Sequence, residues 1–329
     1  MAHEVETMAY VGSRGLPWHI GETKDRSHEL ADLVSGETML VAAGLDWNVS
    51  QRNLFIPGND GGFVPAPGWV ANVRDSDDTT LGIVRPAYRV LQNTALAELG
   101  DALVDAGGAH YETGGSLRNG QIVFLSMELP EGISVEGDPS GHQVYLLLKN
   151  GHSGMGGGKL DVVVTIVRAV CMNTVSAGIT GSMQSFSLTH RSNLDGRIAE
   201  ARRALTLTFD YAESWAIKAS SLVQKTLVER QVEDILTELF PFAEAIKPGK
   251  FEQTTFSNVY ANWKSSPTIG DDIRYTAWGL YNGVTEYFDH LAKFNGGKRT
   301  NSADARAESI IQGEVAKTKE RVFARLLKV

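Results

Sequence analysis

Apolar positions between residues 114 and 179 gather into three runs, 121–129, 143–149 and 160–169, close enough in the chain to form one sheet. The third is nearly continuous (Leu160, Val162, Val163, Val164, Ile166, Val167) rather than alternating, which predicts a strand buried on both faces. Asn150-Gly151-His152-Ser153-Gly154-Met155-Gly156-Gly157-Gly158 joins the second and third runs and is too rich in glycine to be anything but a connection. Arg118-Asn119-Gly120 precedes the first run. Asn-Gly tolerates positive φ at both central turn positions, so residues 112–117 and 121–129 form a hairpin. Residues 169–177 then start a helix that packs across the sheet.

The period changes after Asn193. Leu194, Ile198, Ala201, Leu205, Ala212, Trp215, Ala219 and Leu222 recur at steps of three and four, which predicts one amphipathic helix of about eight turns. Thr226-Leu227-Val228-Glu229 reads as a capping box opening a helix over 227–240, which stops at Pro241. Two more helices are expected over 271–294 and 303–327, the last with Lys317, Lys319, Glu320 and Arg321 outward. Upstream, 94–104 is a helix with Leu96, Leu99, Leu103 and Val104 on one face, and 71–73 pairs with 81–84 around Asp75-Ser76-Asp77-Asp78. The first 75 residues carry little periodicity. There 28–33 opens a short helix, 40–45 is a short strand or helix, and 55–67 is turn-laden.

These elements add up to an α+β fold: an antiparallel sheet of four or more strands with a helix packed on it, followed by a C-terminal helical section. Residues 1–192 form the α+β domain and 193–329 a helical region on the same core.

Composition narrows the class. The chain has 329 residues, 42% hydrophobic and 21% charged, as expected of a soluble globular protein. No apolar run is long enough to span a bilayer, and the acidic start lacks the order of a signal peptide, so a cytoplasmic protein with no membrane partner is expected. The single cysteine, Cys171, excludes an internal disulfide and a multi-cysteine zinc site, and reads as a small buried hydrophobe. A net charge of −8 argues against a chain coated in nucleic acid but leaves room for a local basic groove.

Candidate chemistry is sparse. The Gly151–Lys159 loop lacks the Walker pattern, because Ser153 stands at the first glycine and Leu160 at the Ser/Thr, and the loop feeds a strand. It reads as a flexible tip whose His152 and Lys159 touch a nucleic-acid backbone, or as a plain connection. Arg168, at the end of the buried run, must be paired or must reach a groove. It is either a structural ion pair, with Asp161 or a C-terminal glutamate, or a phosphate clamp with Asn173, Thr174 and Arg191. The eight histidines lack the helical spacing of a metalloprotease, and there is no nucleophile elbow. No catalytic set, metal or cofactor is therefore expected. Trp18, Trp47, Trp69, Trp215, Trp263 and Trp278 include candidates for base stacking, with Trp215 assigned to the core.

Several short motifs agree in order: Met8-Ala9-Tyr10-Val11-Gly12, Pro17-Trp18-His19, Leu81-Gly82-Ile83-Val84 with Tyr88 and Gln92-Asn93, Gly114-Gly115-Ser116-Leu117, Val167-Arg168-Ala169-Val170-Cys171-Met172-Asn173-Thr174, and Thr276-Ala277-Trp278-Gly279-Leu280-Tyr281-Asn282 through Glu286-Tyr287 and Asp289-His290. Together, from about residue 7 to 292, they resemble the phage/plasmid-like proteins of domain of unknown function 932. The resemblance implies a bacteriophage or plasmid gene acting in a bacterial host cytoplasm, and supplies no catalytic set. The order of elements in the middle is similar in topology to ring-forming single-strand annealing proteins.

The leading expectation is a non-enzymatic, homo-oligomeric protein that binds single-stranded nucleic acid, with annealing and recombination as the expected role. A row of Arg168, Lys149, Lys159, Arg191 and Arg118, with His152 and Asn173, would neutralise one backbone and leave the bases open. Two rivals are an enzyme with a pocket from Trp18, His19, Asn173 and His290, and a host-directed factor that binds protein through acidic helices.

Overall fold

The computed structural model describes residues 8–11, 29–30, 34–154, 160–168, 173–174, 185–188, 194–240, 255–294, 309–310 and 313–329. Among these, nine strands form one sheet. Its path runs β11 (Asn173–Thr174), β10 (Leu160–Arg168), β9 (Asp138–Gly151), β7 (Ile122–Glu128), β6 (His110–Leu117), β1 (Met8–Val11) and β2 (Glu29–Leu30). β12 (Ser185–Leu188) also pairs with β10, and β8 (Ile133–Val135) with β9. Every pairing is antiparallel except β1 with β2. The fold is α+β.

The β6–β7 turn is the one the sequence predicts. Asn119 and Gly120 take φ of +57° and +81°, and the Gln121 amide donates to the Arg118 carbonyl at 3.2 Å. β10 is buried along both faces, as its unbroken apolar run requires. Val162, Val164 and Ile166 join Val144, Leu146 and Leu148 of β9 in the main core, while Val163 and Leu147 close a smaller cluster with Leu117 and Phe124 on the other face. Each such side chain contributes about 1.5–3 kcal/mol on burial.

Helices α2 (Thr94–Asp105) and α3 (Leu194–Val223) lie on the main-core face. α3 buries Ala201, Ala204, Leu205, Tyr211, Ala212, Trp215, Ala219 and Leu222, the stripe expected of an amphipathic helix. α4 (Glu229–Leu239), α5 (Thr255–Ser265), α6 (Asp271–Arg274), α7 (Ala277–Glu286), a π-helical turn (Tyr287–Leu291) and α8 (Glu314–Leu326) complete the helical side.

Several expectations are corrected. Within 169–177, Asn173 and Thr174 are strand rather than helix; the chain turns back so that Asn173 opposes Arg168 and gives the β10 edge a ladder partner. Glu29–Leu30 is a strand, not helix, whereas 40–45, read as strand or helix, is helix as far as the end of α1 (Gly36–Ala42). The 271–294 helix is broken at Tyr275, where Thr276 re-caps the chain by accepting from the Gly279 amide. The residue before α4 is Val228, whose amide donates to Gln231 Oε1 at 3.0 Å; Thr226 instead bridges Thr276. Lys319 is not outward: it is wholly buried on Asp289 of the π-helical turn, and burial lowers its pKa against the pull of that carboxylate.

The stretch read as turn-laden keeps its turn at 58–62 but is strand on either side of it. β3 (Val49–Pro57), β4 (Phe63–Arg74) and β5 (Thr80–Val84) form a separate three-stranded antiparallel sheet. The pairing jumps from Asn53 with Val70 to Phe55 with Pro65, so Ala66-Pro67-Gly68-Trp69 bulge out of β4 opposite Leu54. Beyond the bulge the two strands continue as a hairpin arm to the tip at residues 58–62.

Candidate functional site

β9 and β10 put Asp138, Ser140, His142 and Arg168 on the sheet face that meets α7. Arg168 is 2% exposed. Its Nε and Nη2 donate to Asp138 Oδ2 and Oδ1 at 2.8 and 3.1 Å, and its Nη1 donates to the Thr268 carbonyl at 2.9 Å. The Trp278 indole donates to Oδ2 at 2.7 Å, and the Ser140 amide to Oδ1 at 3.0 Å. Burial raises the Asp138 carboxyl, but the guanidinium and the indole lower it further, leaving it at about 2. The His142 ring lies 5.8 Å from both Trp215 and Trp278. Burial, aided by the Arg168 charge and opposed by Asp138, drops its pKa to about 4.

Arg168 is therefore the structural ion pair that the sequence allowed, with Asp138 rather than Asp161 as partner. A guanidinium spent on a buried carboxylate and a carbonyl is turned away from any groove, so Arg168 leaves the phosphate clamp. Asp161 faces Lys149 instead, at 3.9 Å across β9 and β10. Burial lowers the Lys149 pKa, with Asp161 opposing.

His152 is corrected as well. It is fully buried, donates from Nε2 to Asn93 Oδ1 at 2.9 Å, and packs 5.4 Å from the Trp47 ring. Burial brings its pKa to about 4. The start of the glycine-rich loop is not a free tip, because the three-stranded sheet sits on it. Asn72 Nδ2 donates to the His152 carbonyl at 2.7 Å, Tyr88 Oη to that of Gly151 at 2.8 Å, and Asn150 Nδ2 to that of Leu91 at 2.7 Å. Gly82 lies so close that a Cβ there would stand 2.5 Å from Ser153 Cα.

Of the remaining residues named for the row, Arg118 is exposed in its turn, and its neighbour Asn119 accepts from Arg74 Nη2 at 3.4 Å beside the three-stranded sheet. Asn173 pairs with Arg168 through its backbone. Lys159, Arg191, Trp18 and His19 lie outside the described residues. His290 is exposed on the π-helical turn.

The exposed chemistry gathers on the three-stranded sheet. Trp69 leaves the β4 bulge 42% exposed, and the Arg85 guanidinium stacks over its ring at 3.9 Å. The bulge builds this pair: Gly68, at φ +82°, turns its carbonyl to accept from Arg85 Nη1 at 3.3 Å. Ile83 stands exposed on the same sheet, and Arg89 is exposed on the segment that follows β5. Arg52, on the outward face, is held by Asp75 and Asp78 at 3.3 and 2.7 Å. Among the described residues no cluster of three His, Cys, Asp or Glu is placed to hold a metal, and no helix is long and apolar enough to cross a membrane.

Comparison with known families decides the relationship. The profile of the Domain of unknown function family (DUF932) matches residues 80–321, well over half of the chain. The chain belongs to the DUF932 family. The DUF932 match takes in β6 through β10, the Asp138–Arg168 pair and Arg85. It starts after the hairpin arm and Trp69, and later than the motifs at Met8 and Pro17. It also reaches into α8, further than the expected end near residue 292. No curated protein and no solved structure matches the chain. Sequence reasoning missed Arg85 altogether and had Trp69 only as one of six tryptophans. The usable signal was Pro67-Gly68 just before Trp69, a kink that turns the following side chain out of the ladder.

Proposed function

We propose that this DUF932 chain is a non-enzymatic binder of single-stranded nucleic acid in bacteriophage or plasmid DNA metabolism, working in the host cytoplasm. The interface is the outer surface of the three-stranded sheet and the Arg118 turn beside it. The observation that carries the reading is the Trp69–Arg85 pair, an indole and a guanidinium stacked in the open. A base has a π-face that extends such a stack whatever its identity, and the guanidinium lies where a backbone phosphate passes. Arg89, four residues past Arg85, adds positive charge on the segment that follows β5, and Arg118 lies at the Arg74 end of the same sheet, which fits local positive charge on a molecule of net charge −8. Stacking rather than charge dominates, so few counterions are released and the salt dependence is shallow for a nucleic-acid binder.

The test is fluorescence anisotropy with a labelled single-stranded oligonucleotide at low and moderate salt. Trp69→Ala and Arg85→Ala each weaken binding about tenfold or more, the cost of about 1–3 kcal/mol for one lost stacking platform. Thermal melts of the two variants stay within a few degrees of the wild-type value, so the loss of binding is not a loss of fold. Absence of wild-type binding at low salt ends the proposal, and wild-type affinity in both variants removes this surface from it.

A further inference from the structure

The hairpin arm beyond the bulge exposes apolar side chains on both of its faces. Phe55 opposes Pro65 and Pro57 opposes Phe63, which puts these four on one face, while Ile56 and Val64 oppose each other on the other. Phe63 is 76% exposed, Phe55 55%, Ile56 52% and Val64 43%. The arm is nonetheless ordered at its tip, where the Gly58 amide donates to the Gly62 carbonyl at 2.7 Å and the Gly62 amide to Asp60 Oδ1 at 3.0 Å. Two strands alone do not hold such a ribbon in water without something to cover them.

We infer that the arm is a self-association element: a second copy of this chain packs on it, arm against arm. Charge selects that occupant. Between Asn53 and Val73 the only ionised side chain is Asp60, at the tip. A nucleic-acid backbone finds no lysine or arginine on it. Two copies that each carry −8 repel unless they meet through neutral surface, and the arm is such a surface. Area agrees. Phe55, Phe63, Pro57 and Pro65, which share one face, expose on the order of 350 Å² per copy, so a contact through that face buries ~700 Å² in all, the size of a weak, concentration-dependent association. The outer edge of β3 favours a two-fold arrangement. Gln92 ties it down at Val49, with Oε1 accepting from the amide and Nε2 donating to the carbonyl, both at 2.9 Å. Among the described residues its ladder has no other partner on that side. This inference is independent of nucleic-acid binding.

Sedimentation velocity on the full chain from about 1 to 100 µM, the range for a contact of this size, reads the outcome. The wild type forms a dimer or higher species. Phe55→Asp with Phe63→Asp, on one face, weakens association at least ~30-fold, as loss of a buried aromatic anchor does. Ile56→Asp with Val64→Asp tests the other face, and Ile217→Asp, an exposed apolar site on α3, leaves association unchanged. Unaltered melting temperatures certify that the arm variants fold. A wild type that stays monomeric across the range overturns the inference, as does association that neither arm variant weakens. If the wild type is monomeric and the arm variants lose oligonucleotide binding, the arm belongs to the nucleic-acid interface and self-association is overturned.

Discussion

The molecule contains two arginine–tryptophan sites that use the same chemistry to opposite ends. In the nine-stranded sheet, Arg168 and Trp278 both donate to Asp138, beneath α7 and out of reach of water. In the three-stranded sheet, Arg85 lies over Trp69 with no carboxylate partner among the described residues and with solvent beside it. Burial decides the role. A guanidinium removed from water must spend its donors on partners in the fold, and what remains is architecture. An exposed one keeps donors to offer. A cation identified by sequence alone carries no such label, and Arg168 was the strongest candidate for a clamp because its burial and its partner could not be read separately.

Removing each arginine is the direct way to break the comparison. Arg168→Ala leaves the Asp138 carboxylate buried and without its counter-charge, which costs about 3–5 kcal/mol. Urea denaturation of purified protein measures it, and a loss under about 1 kcal/mol would contradict the buried-pair account. Two buried histidines, His142 at this site and His152 under the three-stranded sheet, also make stability sensitive to pH. His142 and His152 titrate at about 4 in the fold against 6.5 ordinarily. Between those values the unfolded chain takes up protons that the fold refuses. Stability is thus complete above about pH 6.5 and is lost as pH falls toward 4, by up to about 3 kcal/mol for each histidine. His142→Phe keeps a ring between Trp215 and Trp278 but cannot be protonated, so melting temperatures of this variant fall less between pH 7 and pH 5 than those of the wild type.

The two sheets were not equally legible. β10 was plain because six apolar residues in nine positions leave no polar face, and the β6–β7 turn because Asn119-Gly120 suits positive φ. The long α3 announced itself by its stripe. The arm was hidden. Phe55, Ile56, Phe63 and Val64 do not alternate with polar residues, since neither face has a side that must be wet, and Pro57, Pro65 and Pro67 read as punctuation. An outlying ribbon tolerates proline where a central strand would not. The Asp138–Arg168–Trp278 cluster joins residues 30 and 140 positions apart. Nothing local in the chain encodes such a meeting. His152 was misread for the same reason, because Asn72 and Asn93, which hold it, come from distant segments.

Separating the two sheets sharpens the comparison further. Gly82 is the point of closest approach, and a side chain there would strike Ser153 backbone, with Cα at 2.5 Å and the carbonyl carbon at 2.8 Å. Backbone on both sides cannot swing away as a long side chain can. Gly82→Ala therefore lifts the three-stranded sheet off the loop and costs about 1–3 kcal/mol. Hydrogen exchange locates the damage: the amides of β4 and β5 lose protection while those of β9 and β10 keep theirs. Equal loss across both sheets would mean that they unfold as one unit.

Arg85→Ala gives the smallest stability effect and so tests the comparison from the other end. An exposed cation–π contact contributes about 0.5–1 kcal/mol, and part of that is returned as the freed side chain regains its rotamers. Urea denaturation should place this variant within about 1 kcal/mol of the wild type, several-fold less than Arg168→Ala. Two arginines, each against a tryptophan, would then differ in their structural cost by the desolvated carboxylate that only one of them serves. A loss at Arg85 as large as that at Arg168 would mean that the bulge depends on the stack for its shape, and the Trp69 surface would then be part of the scaffold rather than a platform held out to a ligand.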